Sequence, residues 1–544
     1  MRAANVIVES LIAHGVKRVY CVPGESYLAL LDALHDSDIQ VIVCRHEGGA
    51  GFMAVAEAKL SGKPAVFMVS RGPGATNGSI AVHMAEQDAV PVIMIIGQVA
   101  RDERNRAVFQ EVDYGQFFGG IAKAVFEVND GSRLVEVMPR AFRLAAEGVP
   151  GPVVLSLPED MLRDDVEDSE ALVYPLSFVH TAPADLERIQ EIISRAERPL
   201  VIAGGLMRGA AGAEALRRFA AAQRIPVAVT WKNQDVFDNG SDLFAGQLNF
   251  GTTPSQRTAL AEADLILAIG TRLGDVGSLG YTLPLAPAPA QTLIHVYNDG
   301  APIGRVTRAD LGLVADPVAL LNGLSQSARV VSAVRERWIS NVHAVTAATQ
   351  AFTSPEPEDG VDFGVVTMAL AKLTPDDAII TLDAGNMSTW AHRHWKMTPK
   401  NTVLGGVVGA MGFGVPAAVA AQFQEPSRMA ICIVGDGGVL MTGQELATAM
   451  AYGVSPKIVI SDNGIYGTIR SHQERQFPGR VSGTKMVNPD FTAWAKSFGA
   501  EAFTLQLGDD VEAAVAAFLA APGAAVLHVK SSQIALSAGG VLKN

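Results

Sequence analysis

The sequence is poor in cysteine. Its 544 residues contain three, Cys21, Cys44 and Cys432, with no CxxC spacing. That excludes a disulfide scaffold and a structural zinc site. All three stand in apolar runs, where a free thiol packs as a small hydrophobe, and a reducing cytoplasm is the expected compartment. Positive charge is also short. Lys and Arg number 43 against 56 Asp and Glu, a net charge of −13. A nucleic-acid binder needs a basic stripe, so no nucleic-acid partner is expected. An anionic ligand held by backbone N–H groups and a metal ion stays open. Charged residues are only 18% against 49% hydrophobic, which excludes a disordered chain. The N-terminus lacks a signal-peptide core, because Glu9 and Lys17 interrupt it. One charge-free run, Asn401 to Gln424, is long enough to cross a bilayer. Its Gly405, Gly406, Gly409, Gly412, Gly414 and Pro416 make a poor helix, so a Gly-rich turn entering a buried helix is expected, and no membrane partner.

The length calls for two to four domains. Apolar strands at Arg18–Val22, Ile39–Cys44, Ala65–Ser70 and Val90–Gly97 alternate with helical patterns such as Gly48–Ser61. Continuous apolar strands between helices predict a parallel sheet covered on both faces. An acidic, irregular stretch around 165–187 reads as a linker. A second α/β block follows, with strands at Pro199–Ala203, Val227–Thr230, Leu265–Ile269 and Leu293–Val296. SPEPEDG (354–360) is a second linker. The third block has strands Ala378–Leu382, Met429–Val434 and Lys457–Ser461, with a helix over Thr442–Tyr452. The expected architecture is α/β, three doubly wound parallel-sheet domains over 1–165, 188–345 and 360–544.

Gly435-Asp436-Gly437 ends an apolar strand, and Asp462-Asn463 ends the next. Ligands of open parallel sheets bind beyond the carboxyl ends of strands. Glycines there admit a phosphate to backbone N–H groups, and Asp, Asn and a backbone carbonyl form a hard oxygen set for Mg²⁺. Asp-Gly alone is a common turn. The conjunction strand–GDG–helix–strand–Asn, with 27 residues from Asp436 to Asn463, is more specific.

The segment GDGGVLMTGQELATAMAYGVSPKIVISDN closely resembles the thiamine diphosphate motif. RHEGGAGFMA resembles the stretch with that superfamily's activating glutamate. RGPGATN (71–77), Phe109-Gln110-Glu111 and VVGAMGFGVPAA resemble the acetolactate synthase-like group in order and spacing, over essentially the whole chain. The resemblance implies thiamine diphosphate and Mg²⁺ as cofactors. It makes Glu47 the activator, a carboxyl on pyrimidine N1′ that favours the 4′-imino form, the base for thiazolium C2–H. Apolar surroundings, suggested by Gly48 to Phe52, would raise its pKa; read alone, it is also an ordinary helix-start glutamate. Met411 is implied as the wedge that bends the cofactor and the Gly409 carbonyl as acceptor for its 4′-amino group. Asp436, Asn463 and the Ile465 carbonyl would hold Mg²⁺. Gly435, Gly437, Gly438 and the Asn386-Met387 turn would meet the diphosphate. Gln110 would face the reacting carbon, with Phe109 and Lys123 nearby. Glu47 and the diphosphate site come from different subunits in this family, implying a homodimer or a dimer of dimers.

Departures from acetolactate synthase cluster on the acceptor side. Glu25 replaces a glycine, Lys123-Ala124 replaces Lys-His, Leu273–Val276 lacks an arginine, and His472 stands where a selecting tryptophan is usual. Glu25 would repel a carboxylate, assist proton transfer, bind a polar group, or simply be a solvated turn residue. Arg470 and His472 suit a substrate carboxylate or phosphate, but Arg470–Arg480 is polar enough for a mobile surface lid. FAD in the central domain is left open by the turns Gly204-Gly205 and Gly270-Thr271-Arg272. The expected activity is decarboxylation of a pyruvate-like 2-oxo acid with carboligation to a second carbonyl. The alternatives are an aldehyde-forming decarboxylase, although no His-His pair is present, and a flavin-dependent pyruvate oxidase-like enzyme. A non-catalytic subunit is opposed by the joint presence of Glu47, Asp436 and Asn463.

Overall fold

A computed structural model describes residues 1–326 and 329–540. It contains three six-stranded sheets, each entirely parallel. The first comprises β1 (Arg18–Cys21), β2 (Gln40–Val43), β3 (Ala65–Val69), β4 (Val92–Gln98), β5 (Ala124–Glu127) and β6 (Pro152–Pro158), in the order β2-β1-β3-β4-β6-β5. Strands β3, β4 and β6 are buried along their whole length. Helices cover both faces, so these strands have no polar side to alternate with.

The second sheet comprises β7 (Pro199–Ala203), β8 (Val227–Thr230), β9 (Phe244–Leu248), β10 (Leu265–Ile269), β11 (Thr292–Tyr297) and β12 (Leu311–Val314). Its order, β12-β11-β10-β7-β8-β9, is that of the Rossmann fold, with the switch point between β7 and β10. The third comprises β13 (Ile379–Leu382), β14 (Thr402–Leu404), β15 (Ala430–Gly435), β16 (Lys457–Asp462), β17 (Glu501–Leu505) and β18 (Ala525–Lys530). Its order, β14-β13-β15-β16-β18-β17, repeats the first sheet strand for strand. The order reverses between β1 and β3 and between β13 and β15, which places a crevice at each carboxyl edge.

The first and third units share one apolar core, whereas the central unit has its own. Helix Glu47–Ser61 is buried from Gly48 to Lys59 and packs against helices Gly72–Gln87 and Gly414–Gln424. A Cβ at Gly51 would collide with Ala81, so close helix packing requires glycine there. Phe52 meets Phe413 edge-to-face at 5.7 Å.

The charge-free run resolves into β14, a glycine turn and the helix Gly414–Gln424. Among the described residues no helix is long and apolar enough to cross a membrane. The single helix expected over Thr442–Tyr452 is instead helix Asp436–Thr442, a 3-10 turn Gly443–Glu445 and helix Leu446–Tyr452. Gly443 opens the 3-10 turn, and a Cβ there would lie 2.9 Å from Val439 and 3.1 Å from Trp494, so the close packing at this junction favours glycine. Of the polar stretch Arg470–Arg480, the part up to Gln476 is helical, within Gly467–Gln476, and the rest is a turn.

Candidate active site

Strand β13 delivers Asp383, fully buried, to the crevice of the third sheet. Its carboxylate accepts from the backbone N–H of Ala384 (2.7 Å), Gly412 (3.0 Å) and Gly414 (2.8 Å). These bonds hold the turn that carries Gly409 and Met411. Gly409 and Gly412 have φ of +70° and +87°, which favour glycine. Burial pushes the Asp383 carboxyl up, opposed by the three amides.

Strand β15 runs straight into Asp436. Its Oδ1 accepts from the Gly437 N–H (2.9 Å), and its Oδ2 from the Gly464 N–H and the Asn488 amide (both 2.8 Å). Burial dominates its titration and pushes the carboxyl up to about 6. Oδ2 is thus committed to two donors, whereas Oδ1 keeps a free lone pair. Strand β16 ends in Asp462, followed by Asn463, whose Oδ1 accepts from the Ile465 N–H (3.1 Å). Burial alone would raise Asp462. Hydrogen bonds from His528 (2.7 Å), Lys530 (2.8 Å) and Asn488 (2.7 Å) outweigh it and hold this carboxyl below the usual range.

Between these strand ends lies a cleft of about 270 Å³. Asn386, Met387, Gly409, Met411, Gly435, Asp436, Gly437, Gly438, Asn463 and Ile465 all line it. Every cofactor- and metal-binding residue expected from the third domain is therefore gathered in one cavity. A Cβ at Gly437 would lie 2.8 Å from Tyr466 and 3.2 Å from Met411, so a side chain there would have to displace these two from the cleft. No lysine, arginine or histidine is among the lining residues. An anion in this cleft therefore finds no cationic side chain among the lining residues. One carboxylate with amide and carbonyl oxygens suits a hard divalent ion. Among the described residues no group of three or more His, Cys, Asp or Glu forms a metal cluster.

The first sheet gathers a second group at its carboxyl edge. Glu47 opens its helix half-buried, and its Oε2 accepts from Asn77 (3.0 Å). The apolar enclosure expected around it is not supplied within one chain. A Cβ at Gly74 would sit 3.3 Å from Glu47 Oε1, and Gly72 donates to the Gln110 carbonyl (3.0 Å). Gln110 has φ of +64°, and Phe109 beside it is 70% exposed. The exposed Glu25 carboxylate faces Arg71 at 3.4 Å, and Arg71 also pairs with Glu159. None of these residues lines the cleft of the third sheet.

Two expected residues lie elsewhere. Lys123 precedes β5, at the amino end of the strand rather than the carboxyl edge. Its ammonium donates to the carbonyls of Glu147 (2.5 Å) and Val149 (2.7 Å). His472 is exposed on its helix, beside Arg475. In the central sheet, Gly205 and Gly270–Arg272 line a separate cleft of about 180 Å³ at the switch point. A Cβ at Gly204 would lie 2.5 Å from the Gly270 carbonyl, so the two turns touch. The sequence reading missed Asp383 and Asn488. Asp383, directly after an apolar strand like Asp436, carried a signal; Asn488, in an irregular polar stretch, did not.

Comparison with known proteins agrees with this geometry. Residues 1–117, 186–324 and 383–529 match, in order, the N-terminal TPP binding domain, the central domain and the C-terminal TPP binding domain of thiamine pyrophosphate enzymes. The chain is 32% identical over 541 residues to the acetolactate synthase isozyme 2 large subunit of Escherichia coli (strain K12), covering 98% of this chain and 96% of that protein. It is 32% identical to the acetolactate synthase large subunit of Parasynechococcus marenigrum (strain WH8102), covering 97% and 87%. It is 31% identical to the probable acetolactate synthase large subunit of Methanocaldococcus jannaschii, covering 94% and 89%. Sheet order, cleft and similarity over nearly the full length converge: the chain belongs to the thiamine pyrophosphate enzymes, in their acetolactate synthase-like group.

Proposed function

We propose that this enzyme binds thiamine diphosphate with Mg²⁺, decarboxylates pyruvate or a close 2-oxo acid, and joins the remaining fragment to a second carbonyl, as in acetolactate formation. The observation that carries the reading is the cleft in which ten expected residues meet without a cationic side chain. The naming of the relatives as acetolactate synthases supports the choice of reaction.

The bound cofactor supplies a nucleophilic carbon and an electron sink for decarboxylation. The chain's residues do the rest. Asp436, Asn463 and the Ile465 carbonyl would hold Mg²⁺, and Gly435, Gly437, Gly438 and the Asn386-Met387 turn would admit the diphosphate. Met411 would be the apolar wedge against the cofactor, and the Gly409 carbonyl would accept from its 4′-amino group. Glu47 holds and moves the proton at N1′. Because Glu47 lies outside its own chain's cleft, we assign that role to Glu47 of a second copy, in a homodimer or a dimer of dimers. Gln110, Phe109 and Glu25 then face the substrates from the same copy.

The test is pyruvate consumption by protein saturated with thiamine diphosphate and Mg²⁺, with the product identified. Acetolactate is expected, and Glu47→Gln should lower turnover by a factor of about 100 or more while cofactor affinity stays within a few-fold. Unchanged turnover in that variant would sink the mechanism. Acetaldehyde as sole product would favour the simple decarboxylase.

A second ligand has its own support. The Rossmann-order central sheet opens a cleft at its switch point, bordered by Arg208, Asn233 and Tyr297. A nucleotide such as FAD fits that position in the fold, and a flavin would show in the visible absorbance of the purified protein.

A further inference from the structure

Glu445 has no part in the cleft, yet it is a fully buried carboxylate. It ends the 3-10 turn after helix Asp436–Thr442 and reaches into the first domain. Its Oε1 accepts from the backbone N–H groups of Arg45 and His46, both at 3.0 Å. Its Oε2 accepts from the Thr448 hydroxyl at 2.6 Å and from the Arg45 N–H at 3.2 Å. Those two amides immediately precede Glu47. On the same edge, the Tyr452 hydroxyl accepts from the Val43 N–H (2.8 Å) and donates to the Val41 carbonyl (2.9 Å). Strand β2 is an edge strand whose outward backbone groups need partners, and side chains of the third domain supply them. A Cβ at Gly49 would collide with the Glu445 carboxylate, so the approach is as close as the backbone allows.

A carboxylate taken fully out of water is costly unless its lone pairs are filled. Here the donors are concentrated on consecutive backbone amides, which fixes the chain one peptide before the carboxyl that must meet N1′. We propose that Glu445 is a positioning residue for Glu47, setting the height and direction from which helix Glu47–Ser61 presents its first side chain. This rests on the reading of Glu47 as the activator. A misplacement near 1 Å is enough to cost most of such a group's effect.

The variants are Glu445→Ala, Glu445→Gln and Thr448→Val. Gln keeps one oxygen for the two amides and turns its NH₂ toward Thr448, so it is the conservative rescue. The first readout is amide hydrogen exchange of Arg45 and His46 in the cofactor-free protein. The second is the rate of C2–H exchange of thiamine diphosphate bound with Mg²⁺, measured beside the cofactor's affinity. Glu445→Ala should speed amide exchange by about 100-fold. It should slow C2–H exchange by about 10-fold or more, with affinity within about 3-fold. Glu445→Gln should restore both rates to within about 3-fold of wild type, since its remaining oxygen keeps the two shorter bonds from the Arg45 and His46 amides. If Glu445→Ala does not fold, Thr448→Val must still move both rates the same way by about 3-fold, because it removes one donor to the carboxylate. Faster amide exchange with wild-type C2–H exchange, while Glu47→Gln is slow, overturns the proposal and leaves Glu445 a purely structural anchor. Wild-type rates in both readouts overturn it outright. Wild-type C2–H exchange in Glu47→Gln itself overturns the reading of Glu47, and this proposal with it.

Discussion

At the scale of single residues, the junction of the three domains holds a lysine in an unusual state. Lys232 is 1% exposed, and among the described residues its Nζ donates to the carbonyls of Leu382 (3.0 Å) and Asp383 (3.2 Å). Burial, with a smaller push from the Lys59 cation, brings its pKa down to about 7. A neutral amine has two N–H donors, which matches the two carbonyls. The linkage sign follows. Between pH 7 and the unfolded value near 10.5, the unfolded chain binds the proton and the folded chain does not, so this group makes stability rise with pH. Lys232→Met should be less stable throughout, since two carbonyls lose their donor. It should also lack about 2 kcal/mol of the wild-type rise between pH 7 and pH 9, read by urea unfolding at the two values. Equal slopes in both proteins would mean that Lys232 stays charged.

At the scale of elements, the edges of the sheets carry the message. Tyr452→Phe removes the hydroxyl that serves β2 twice, and should cost about 1–2 kcal/mol in denaturant unfolding, with faster exchange of the Val43 amide. A loss near zero would mean water takes over both groups. Edges also explain what could be read in advance. Buried strands such as β3, AVFMV, and β15, AICIVG, announce themselves as apolar runs. The edge strand β5 has no buried residue, β12 has one buried residue in four, and β14 is three residues long. A strand with one open side needs no continuous apolar run, and all three went unread; so did the edge strands β9 and β17 and the inner strand β18, AVLHVK, whose run is broken by His528. The cofactor motif was legible because chemistry fixes its residues at strand ends. The anchor at Glu445 was not, because its partners are backbone amides 399 and 400 residues away, which leave no mark in sequence.

At the scale of the whole molecule, the two like sheets divide the labour. The third presents the cleft, the first presents Glu47, and a complete site needs both from different chains under the proposed assembly. Chains carrying Glu47→Gln and chains carrying Asp436→Ala should each be inactive. Mixed and reassembled in equal amounts, they should recover about a quarter of wild-type activity, since half the dimers are mixed and each has one intact site. No recovery on verified exchange would place each site within one chain. The cationless cleft has a further consequence. A cell holds nucleotides, inorganic phosphate and sugar phosphates in abundance, and a basic pocket would collect any of them. A pocket with one carboxylate and no cationic side chain among its lining residues gives a bare anion no such partner. Under the proposed function it would take a polyphosphate as its metal complex. Selectivity against the crowd of competing phosphates would then come from what the cavity withholds.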